Sequence, residues 1–568
     1  MPSVTAPNVS RYSDVDSKKS EGATYTPPRL AEFVARQILQ SAQLPKSGRI
    51  RVLDPAVGDG ALLVALLQAL PEPTLARVDV VAIDTDERAI IFTRQKLLLL
   101  FPSVPVRTES QNFLESRELS HGLFGFHLII ANPPYVRTQI MGADRAQNLA
   151  DEFGLSGRVD LYYPFLLAIA AALAPNGTAG VITSNRFLTT KSGQSVRKAL
   201  FERFKIEHVW DLGDTKLFTA AVLPAVLLAH EGNGEITKVP QFSTIYETKD
   251  DSTRTTDDEI LALDMPDGSV VAVPSGKRFR IRHGILDNGG DLSGVWRIGT
   301  NAGDTWLSTV EEYTWASFRD IGKIRVGVKS TADKVFLRSD WGQLPGGEPE
   351  LLRPLITRKC AQRYRALIPK NPIHQKKILY PHETTANGRA PVDLSHYPRA
   401  YDYLNSHREQ LESRKYVIEA GRKWYELWVP QDPAAWAEPK LVFPDITEKP
   451  IFWMDKDGGV VNGECYWLRS ENGSEPELLW LALAVANSSF IEAFYDHKFN
   501  NKLYSGRRRF ITQYVEHFPL PDPSRQETRE IIQDVKQLYE LTPSIEAESL
   551  ATQLDQKIWA IFGLFPKK

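Results

Sequence analysis

The 568-residue sequence predicts an α/β protein built on a doubly wound, mostly parallel sheet and followed by an α+β region. Three observations carry this expectation. Short β-branched and apolar runs alternate with helix-forming stretches over residues 50–229. Several of these runs end in turns rich in Gly, Asp or Pro, where open parallel sheets bind ligands. Beyond residue 276 the alternation lapses into short strands, and most of the tryptophans lie there.

Taken in order, Ile50–Leu53 predicts a strand, and Ala61–Leu70 a helix that stops at Pro71. Val78–Ile83 is a second strand and Glu87–Leu100 a helix. Phe126–Ala131 is a strand running into a Pro pair. Leu161–Ala174 reads as a buried helix, and Ala179–Thr183 as a strand after the Asn176-Gly177 turn. Val196–Phe204 is helical, followed by strands at His208–Leu212 and Val222–Ala229. Thr248–Gly276, rich in Asp, Thr, Ser, Pro and Gly, predicts a linker. Four domains are expected: a flexible N-terminus (1–21), a catalytic domain (22–247), the linker (248–276) and a C-terminal domain (277–568). In the last, strands are expected at Ile324–Val328, Lys376–Tyr380, Lys440–Phe443 and Ile451–Met454, and helices at Arg399–Lys415 and Glu477–Tyr495.

Composition narrows the classes. Lys+Arg total 68 against 70 Asp+Glu, and 42% apolar content is ordinary for a globular chain. The longest apolar run, Leu161–Ala174, is too short to span a bilayer. No apolar segment near Met1 resembles a secretory signal, so a soluble, cytoplasmic protein is expected. Cys360 and Cys465 alone exclude a disulfide scaffold and a multi-Cys zinc site, and no metal is expected. The even net charge hides asymmetry. Glu247–Asp267 holds eight acids and two bases, whereas Leu351–Tyr380 holds eight bases and no acid. A second basic run spans His497–Phe510. Such clusters suit a polyanion, with Arg358, Lys359, Arg363, Arg365, Lys376, Lys377, Lys502, Arg507, Arg508 and Arg509 the candidate phosphate contacts.

Two motifs carry chemistry. Asp54-Pro55-Ala56-Val57-Gly58-Asp59-Gly60 follows the first strand and opens a helix. Its glycines allow close backbone approach to a ligand, and Asp84, ending the second strand, can hold both hydroxyls of a ribose. Asn132-Pro133-Pro134-Tyr135 is sharper. Pro133 and Pro134 lack N–H groups and stiffen the corner. The Asn132 side-chain oxygen and the Pro133 carbonyl can then receive one amino group. An amine conjugated to an aromatic base is a weak nucleophile; two acceptors on its hydrogens favour the pyramidal form whose lone pair attacks. Tyr135 offers a stacking face worth ~1–3 kcal/mol.

On these motifs the chain resembles the S-adenosylmethionine-dependent methyltransferases of the gamma, TaqI-like class, which modify adenine N6 in DNA. The resemblance implies the class I methyltransferase (Rossmann-like) fold and a C-terminal target-recognition domain. It assigns Thr24, Tyr25 and Thr26 to the methionine part of the cofactor. Asp54, Pro55, Ala56, Gly58 and Gly60 form its glycine loop, Asp84 its ribose acid, and Asn112 with Phe113 its adenine site. Asn112 stands where the family carries Asp. Asn132–Tyr135 becomes the catalytic motif, and Phe218 the second aromatic wall beside the target base. Asp160-Leu161-Tyr162 and Gly180–Leu188 fit later motifs, while Ile324–Lys329, Leu441–Ile446 and Asn500–Tyr514 resemble recognition-domain segments. Duplex DNA is the implied partner, a restriction endonuclease the companion activity, and a monomer the working form. A base in a duplex must be extruded to reach such a corner.

Alternatives remain open. Glutamine-N5 and RNA methyltransferases also carry Asn-Pro-Pro-Tyr, and a silent specificity protein is conceivable given Asn112. Pro444-Asp445-Ile446-Thr447-Glu448-Lys449 superficially resembles a nuclease motif, but its acids are nearly adjacent where separate strands are usual. Neither Cys follows a Pro in the catalytic half, which argues against carbon-5 cytosine chemistry. Trp424-Tyr425-Glu426-Leu427-Trp428 is expected in the core.

Overall fold

The computed structural model describes residues 26–116, 125–136, 143–157, 159–218, 223–232, 239–252, 254–367, 371, 375–386, 388–471, 476–499 and 507–566. The chain divides between Thr300 and Asn301 into two compact units.

The first unit is centred on one twelve-stranded sheet. Its strands are β1 (Ile50–Asp54), β2 (Val78–Asp84), β3 (Val106–Ser110), β4 (Phe126–Ala131), β5 (Leu173–Ser184), β6 (Phe204–Asp211), β7 (Pro224–Glu231), β8 (Gln241–Glu247), β9 (Arg254–Thr255), β10 (Val270–Ala272), β11 (Arg278–Asp287) and β12 (Arg297–Gly299). They run in the order β3-β2-β1-β4-β5-β7-β6-β8-β11-β10-β9, with β12 on β11. β3, β2, β1, β4 and β5 are mutually parallel, and β7 lies antiparallel between β5 and β6. Successive residues of β4 face opposite layers, as the two-residue strand period requires: Leu128 and Ile130 pack on one side, Ile129 and Ala131 on the other. The first layer contains α1 (Pro28–Ser41), α2 (Ala61–Ala69) and α3 (Glu87–Leu100); the second contains α4 (Tyr162–Ala172) and α5 (Gln194–Arg203). α1 buries Leu30, Phe33, Val34 and Ile38, a helical stripe absent from the sequence reading.

The expected linker is not one. Residues within 248–276 supply β9, β10 and a short helical turn to the sheet, and the boundary falls after Thr300. The acidic run is matched by alternate arginines of β11: Arg278 bonds Asp251 at 2.7 Å, Arg280 bonds Asp250 at 2.5 Å and Arg282 bonds Asp267 at 3.0 Å. Its polar texture is therefore that of a charge-paired sheet margin.

The second unit holds two small mixed sheets. One orders Arg325–Val326, Cys465–Leu468, Lys440–Pro444, Trp453–Asp455 and Tyr364–Arg365; the other orders Leu337–Arg338, Lys377–Leu379, Leu352–Ile356 and Val460–Val461. A helical cluster of Pro476–Ala486, Ser489–Phe499, Gln526–Leu541 and Ile545–Ile561 closes one core. The helix expected over Arg399–Lys415 is three short pieces, Pro398–Ser406, Arg408–Glu412 and Lys415–Glu419. That expected over Glu477–Tyr495 breaks by 75° at Asn487-Ser488, where Asn487 bonds both backbone groups of Phe452. Among the described residues no single helix is long and apolar enough to cross a membrane.

Candidate active site

Four strand ends build the site. The order β3-β2-β1-β4 sets Asn112, Asp84, Asp54 and Asn132 along one sheet edge, each just at or beyond the carboxyl end of its strand. Three strand spacings cover about 14 Å, the reach of an extended nucleoside with its substituent.

The glycine loop is held on both flanks. Gly58 (φ +53°) and Gly60 (φ +74°) take left-handed backbone that suits glycine, and Gly60 leads directly into α2. A Cβ on Gly60 would stand 2.9 Å from Thr93 Cγ2. The Gly58 amide donates to Asp84 Oδ2 at 2.8 Å, tying the loop to the next strand. From α3, Thr93 Oγ1 donates to the Gly58 carbonyl at 2.8 Å and Lys96 Nζ to the Asp59 carbonyl at 3.0 Å. Sequence reading missed these two braces, which lie 35 and 37 residues from the loop.

Asp54 is fully buried. Its Oδ1 accepts from the Ala56 amide at 3.1 Å, whereas Oδ2 has no hydrogen-bond partner. Burial, with the Asp84 and Asp59 charges adding to it, pushes this carboxyl well above the usual carboxylate range. Such an unmatched buried oxygen can accept a donor from a ligand.

At the Asn-Pro-Pro-Tyr corner Asn132 is half-buried and Pro133 buried. Asn132 Nδ2 donates to Thr26 Oγ1 at 3.1 Å, and the Tyr135 hydroxyl donates to Asn132 Oδ1 at 2.5 Å. Tyr135 meets Tyr162 edge-on at 6.1 Å, and burial raises its hydroxyl pKa, keeping it a neutral donor. Thr26, Asn132 and Tyr135 are thus brought together. Thr24 and Tyr25, named with Thr26, lie outside the described residues.

Two assignments change. Asn112 caps its own turn: Oδ1 accepts from the Leu114 amide at 3.2 Å and Nδ2 donates to Glu115 at 2.7 Å, while Phe113 is buried against Phe165. Its amide is thus engaged locally, with a carboxylate alongside. Phe218 is only 6% exposed and packs in the α1–α3 layer, whereas Tyr135 packs against the opposite one, so the two rings form no paired wall here. The apolar Phe218 ring finds a core within reach and fills it.

At the carboxyl ends of β5 and β6, sequence reading also missed a buried network. Asn185 donates to Asp211 at 2.9 Å and Tyr246 donates to it at 2.6 Å. Burial lifts the Asp211 carboxyl to about 6.

In the second unit part of the basic run gathers around a cleft of about 630 Å³. Lys359, Arg365, Lys376 and Lys377 line it, and Arg358 and Lys334 line an adjoining hollow that shares Lys359 and Lys376. Arg365 lies 5.2 Å over the Tyr539 ring, and Lys377 pairs with Glu348 at 3.1 Å. Arg363 instead donates to the Pro450 carbonyl at 3.3 Å. The Arg507–Arg509 run divides. Arg507 is exposed, but Arg508 is buried, bonding Asp496 at 2.7 Å and Glu492 at 3.1 Å. Arg509 forks onto Asp445 at 2.9–3.0 Å. Arg508 is therefore withdrawn from the phosphate contacts, because its charge is already matched inside the fold; Lys502 lies outside the described residues. The Arg509 fork also commits Asp445 of the nuclease-like motif, and Tyr425 and Leu427 are core residues.

Known proteins match both units. Residues 79–218 match the Eco57I restriction-modification methylase family, and residues 366–520 the TaqI-like C-terminal specificity domain. Type II methyltransferase M.BanIII of Aneurinibacillus aneurinilyticus is 36% identical, covering 96% of this chain and 98% of its own. M.PaeR7I of Pseudomonas aeruginosa is 24% identical over 90% and 89%. A release factor glutamine methyltransferase of Deinococcus radiodurans is 34% identical over 24% of this chain and 46% of its own. The DNA complex of the Type IIL restriction-modification enzyme MmeI shares the fold, with a TM-score of 0.58, 12% identity and 91% and 71% coverage.

Proposed function

The chain belongs to the Type II methyltransferases of restriction–modification systems, and from that premise we propose that it transfers a methyl group from S-adenosylmethionine to adenine N6 in a short duplex DNA motif. The observation that carries this reading is the Asn132-Pro133-Pro134-Tyr135 corner, set beside the Asp54 strand end with its amide already hydrogen-bonded at both ends.

The residues fit the cofactor. Asp54 offers an unmatched buried oxygen for a donor, Gly58 and Gly60 leave the loop backbone approachable, and Asp84 retains lone pairs for ribose hydroxyls. Asn112 and Phe113 stand just beyond the end of the neighbouring strand, on the side the resemblance gives to the cofactor adenine. When bound, S-adenosylmethionine supplies a methyl group on a sulfonium, electrophilic enough for a neutral amine. Asn132 Oδ1 and the Pro133 carbonyl take the amine hydrogens and localise the nitrogen lone pair. Tyr135 supports the extruded ring, and the surplus proton leaves to solvent.

The second unit supports a nucleic-acid substrate over glutamine, and the Type II methyltransferase relatives favour DNA over RNA. Its cleft collects Lys359, Arg365 and Lys376, and phosphate neutralisation needs such clusters. The glutamine methyltransferase likeness is confined to a quarter of the chain. Arg358, Lys359, Arg365, Lys376, Lys377 and Arg507 are the proposed phosphate contacts. A cognate endonuclease is the companion activity, the chain acts as a monomer, and its substrate sets it in the cytoplasm. Sequencing DNA from expressing cells with single-molecule detection of modified bases tests the reading: N6-methyladenine confined to one short motif supports it. Marks on cytosine, or none, refute it.

A further inference from the structure

The Asn132 carboxamide has a symmetry problem. Its terminal torsion is broad and roughly two-fold, so the oxygen and nitrogen exchange places at little intrinsic cost. Only the oxygen can accept a hydrogen from the target amine; an amide turned the other way presents donors to donors. Catalysis by this corner therefore needs something that tells the two ends apart before the base arrives.

We propose that Thr26 is a positioning residue for methyl transfer: its hydroxyl, with that of Tyr135, fixes which end of the Asn132 carboxamide faces the target amine. The inference rests on the adenine-N6 reading. The Thr26 oxygen lies 3.1 Å from Nδ2 and the Tyr135 oxygen 2.5 Å from Oδ1. The two hydroxyls are not equivalent. A phenol is the better donor, because its lone pair is drawn into the ring; an aliphatic hydroxyl is the better acceptor. Phenol on oxygen with alkyl hydroxyl on nitrogen is therefore the favoured sense, and the reverse assignment is penalised at both ends.

The mount is stiff on both sides. Thr26-Pro27-Pro28 and Asn132-Pro133-Pro134 are each a polar residue before two prolines, which restricts its backbone to extended conformations. Pro28 begins α1, whose buried stripe anchors it to the sheet, and Thr26 is itself only 9% exposed. The contact spans 106 residues. It joins a segment whose family role is toward the cofactor to the group that handles the base, so both halves of the reaction share one hydrogen bond.

The test uses the full chain and its cognate duplex with Thr26→Val, nearly isosteric but without an acceptor, and Thr26→Ser, which keeps one. Single-turnover methylation at saturating cofactor, cofactor Kd by calorimetry, and fluorescence of a 2-aminopurine at the target position are measured. Thr26→Val is expected to slow single turnover about tenfold, equivalent to about 1.4 kcal/mol and within the range for loss of one hydrogen bond. Its cofactor Kd and base-flipping signal should stay within about twofold of wild type, and Thr26→Ser should recover most of the rate. A Val variant at full speed, or one whose sole loss is cofactor affinity, overturns the inference. A Ser variant as slow as Val also overturns it, by showing a packing role. A wild-type protein that marks no adenine overturns the adenine-N6 reading itself, and this inference with it; the other outcomes leave that reading standing.

Discussion

Asn112 shows how one residue's neighbours change the meaning of a substitution. Where the family carries Asp, this chain has an amide that donates to Glu115 at 2.7 Å, so the missing carboxylate stands three residues on. Asn112→Asp alone would set two carboxylates together, and we expect no gain in cofactor affinity from it. The same change combined with Glu115→Gln should tighten binding several-fold; isothermal calorimetry of both variants checks this. Asp54 gives a second prediction at this scale. Burial favours its protonated form, and a cationic ligand group would lower its pKa again, so cofactor binding should release protons and strengthen as pH rises. Calorimetry in buffers of different ionisation enthalpy measures that exchange, and zero exchange would count against a cationic partner for Oδ2. The corner residues were legible from sequence because proline has so few conformations. The hydrogen bonds of Asn132 were not, since one comes from a residue 106 positions away.

The sheet explains which elements could be read. Strands such as Phe126–Ala131, apolar but for His127 and buried on both faces, stand within a residue of expectation. β3, Val106–Ser110, was missed because it is the edge strand, with few buried side chains and a polar sequence. The linker expectation failed for a related reason: acids that look like solvated loop become sheet margin once Arg278, Arg280 and Arg282 face them, and a window along the chain does not see that pairing. The β5–β6 ends carry the element-scale prediction. Asp211, raised by burial and by the Asp214 charge against the lowering hydrogen bonds of Tyr246 and Asn185, has a folded pKa of about 6 against a usual 3.8. Its contribution to stability is complete below the lower value and lost as pH rises through the higher one. The melting temperature of wild type relative to Asp211→Asn should therefore fall between about pH 4 and pH 7, and stay level above. A difference that does not change with pH would mean Asp211 is ionised throughout.

At the scale of the whole molecule, the division of the motifs was legible: the glycine loop and the Asn-Pro-Pro-Tyr corner lie in the first unit, and the described basic run in the second. The charge alone did not say which cations are spent on the fold. Burial of Arg508 between Asp496 and Glu492, and the Arg509–Asp445 fork, became visible only once the helices and strands were paired. Lys359 and Lys376, both exposed at the cleft, should behave differently. Replacing both with Ala should weaken DNA binding and flatten the slope of log K against log salt by about 1.8, two phosphates at about 0.9 each. Arg508→Ala should instead lower stability by about 2 kcal/mol, since it removes a buried guanidinium and leaves two half-buried carboxylates unmatched. Fluorescence anisotropy over a salt series, beside thermal melts, separates the two classes.

The most direct measurement is nucleoside mass spectrometry of cognate duplex treated with wild type and with Asn132→Ala, alongside each protein's cofactor Kd. The account predicts N6-methyladenine from wild type only, with the variant's cofactor Kd unchanged within about twofold. Methyladenine formed at an undiminished rate by Asn132→Ala would contradict it.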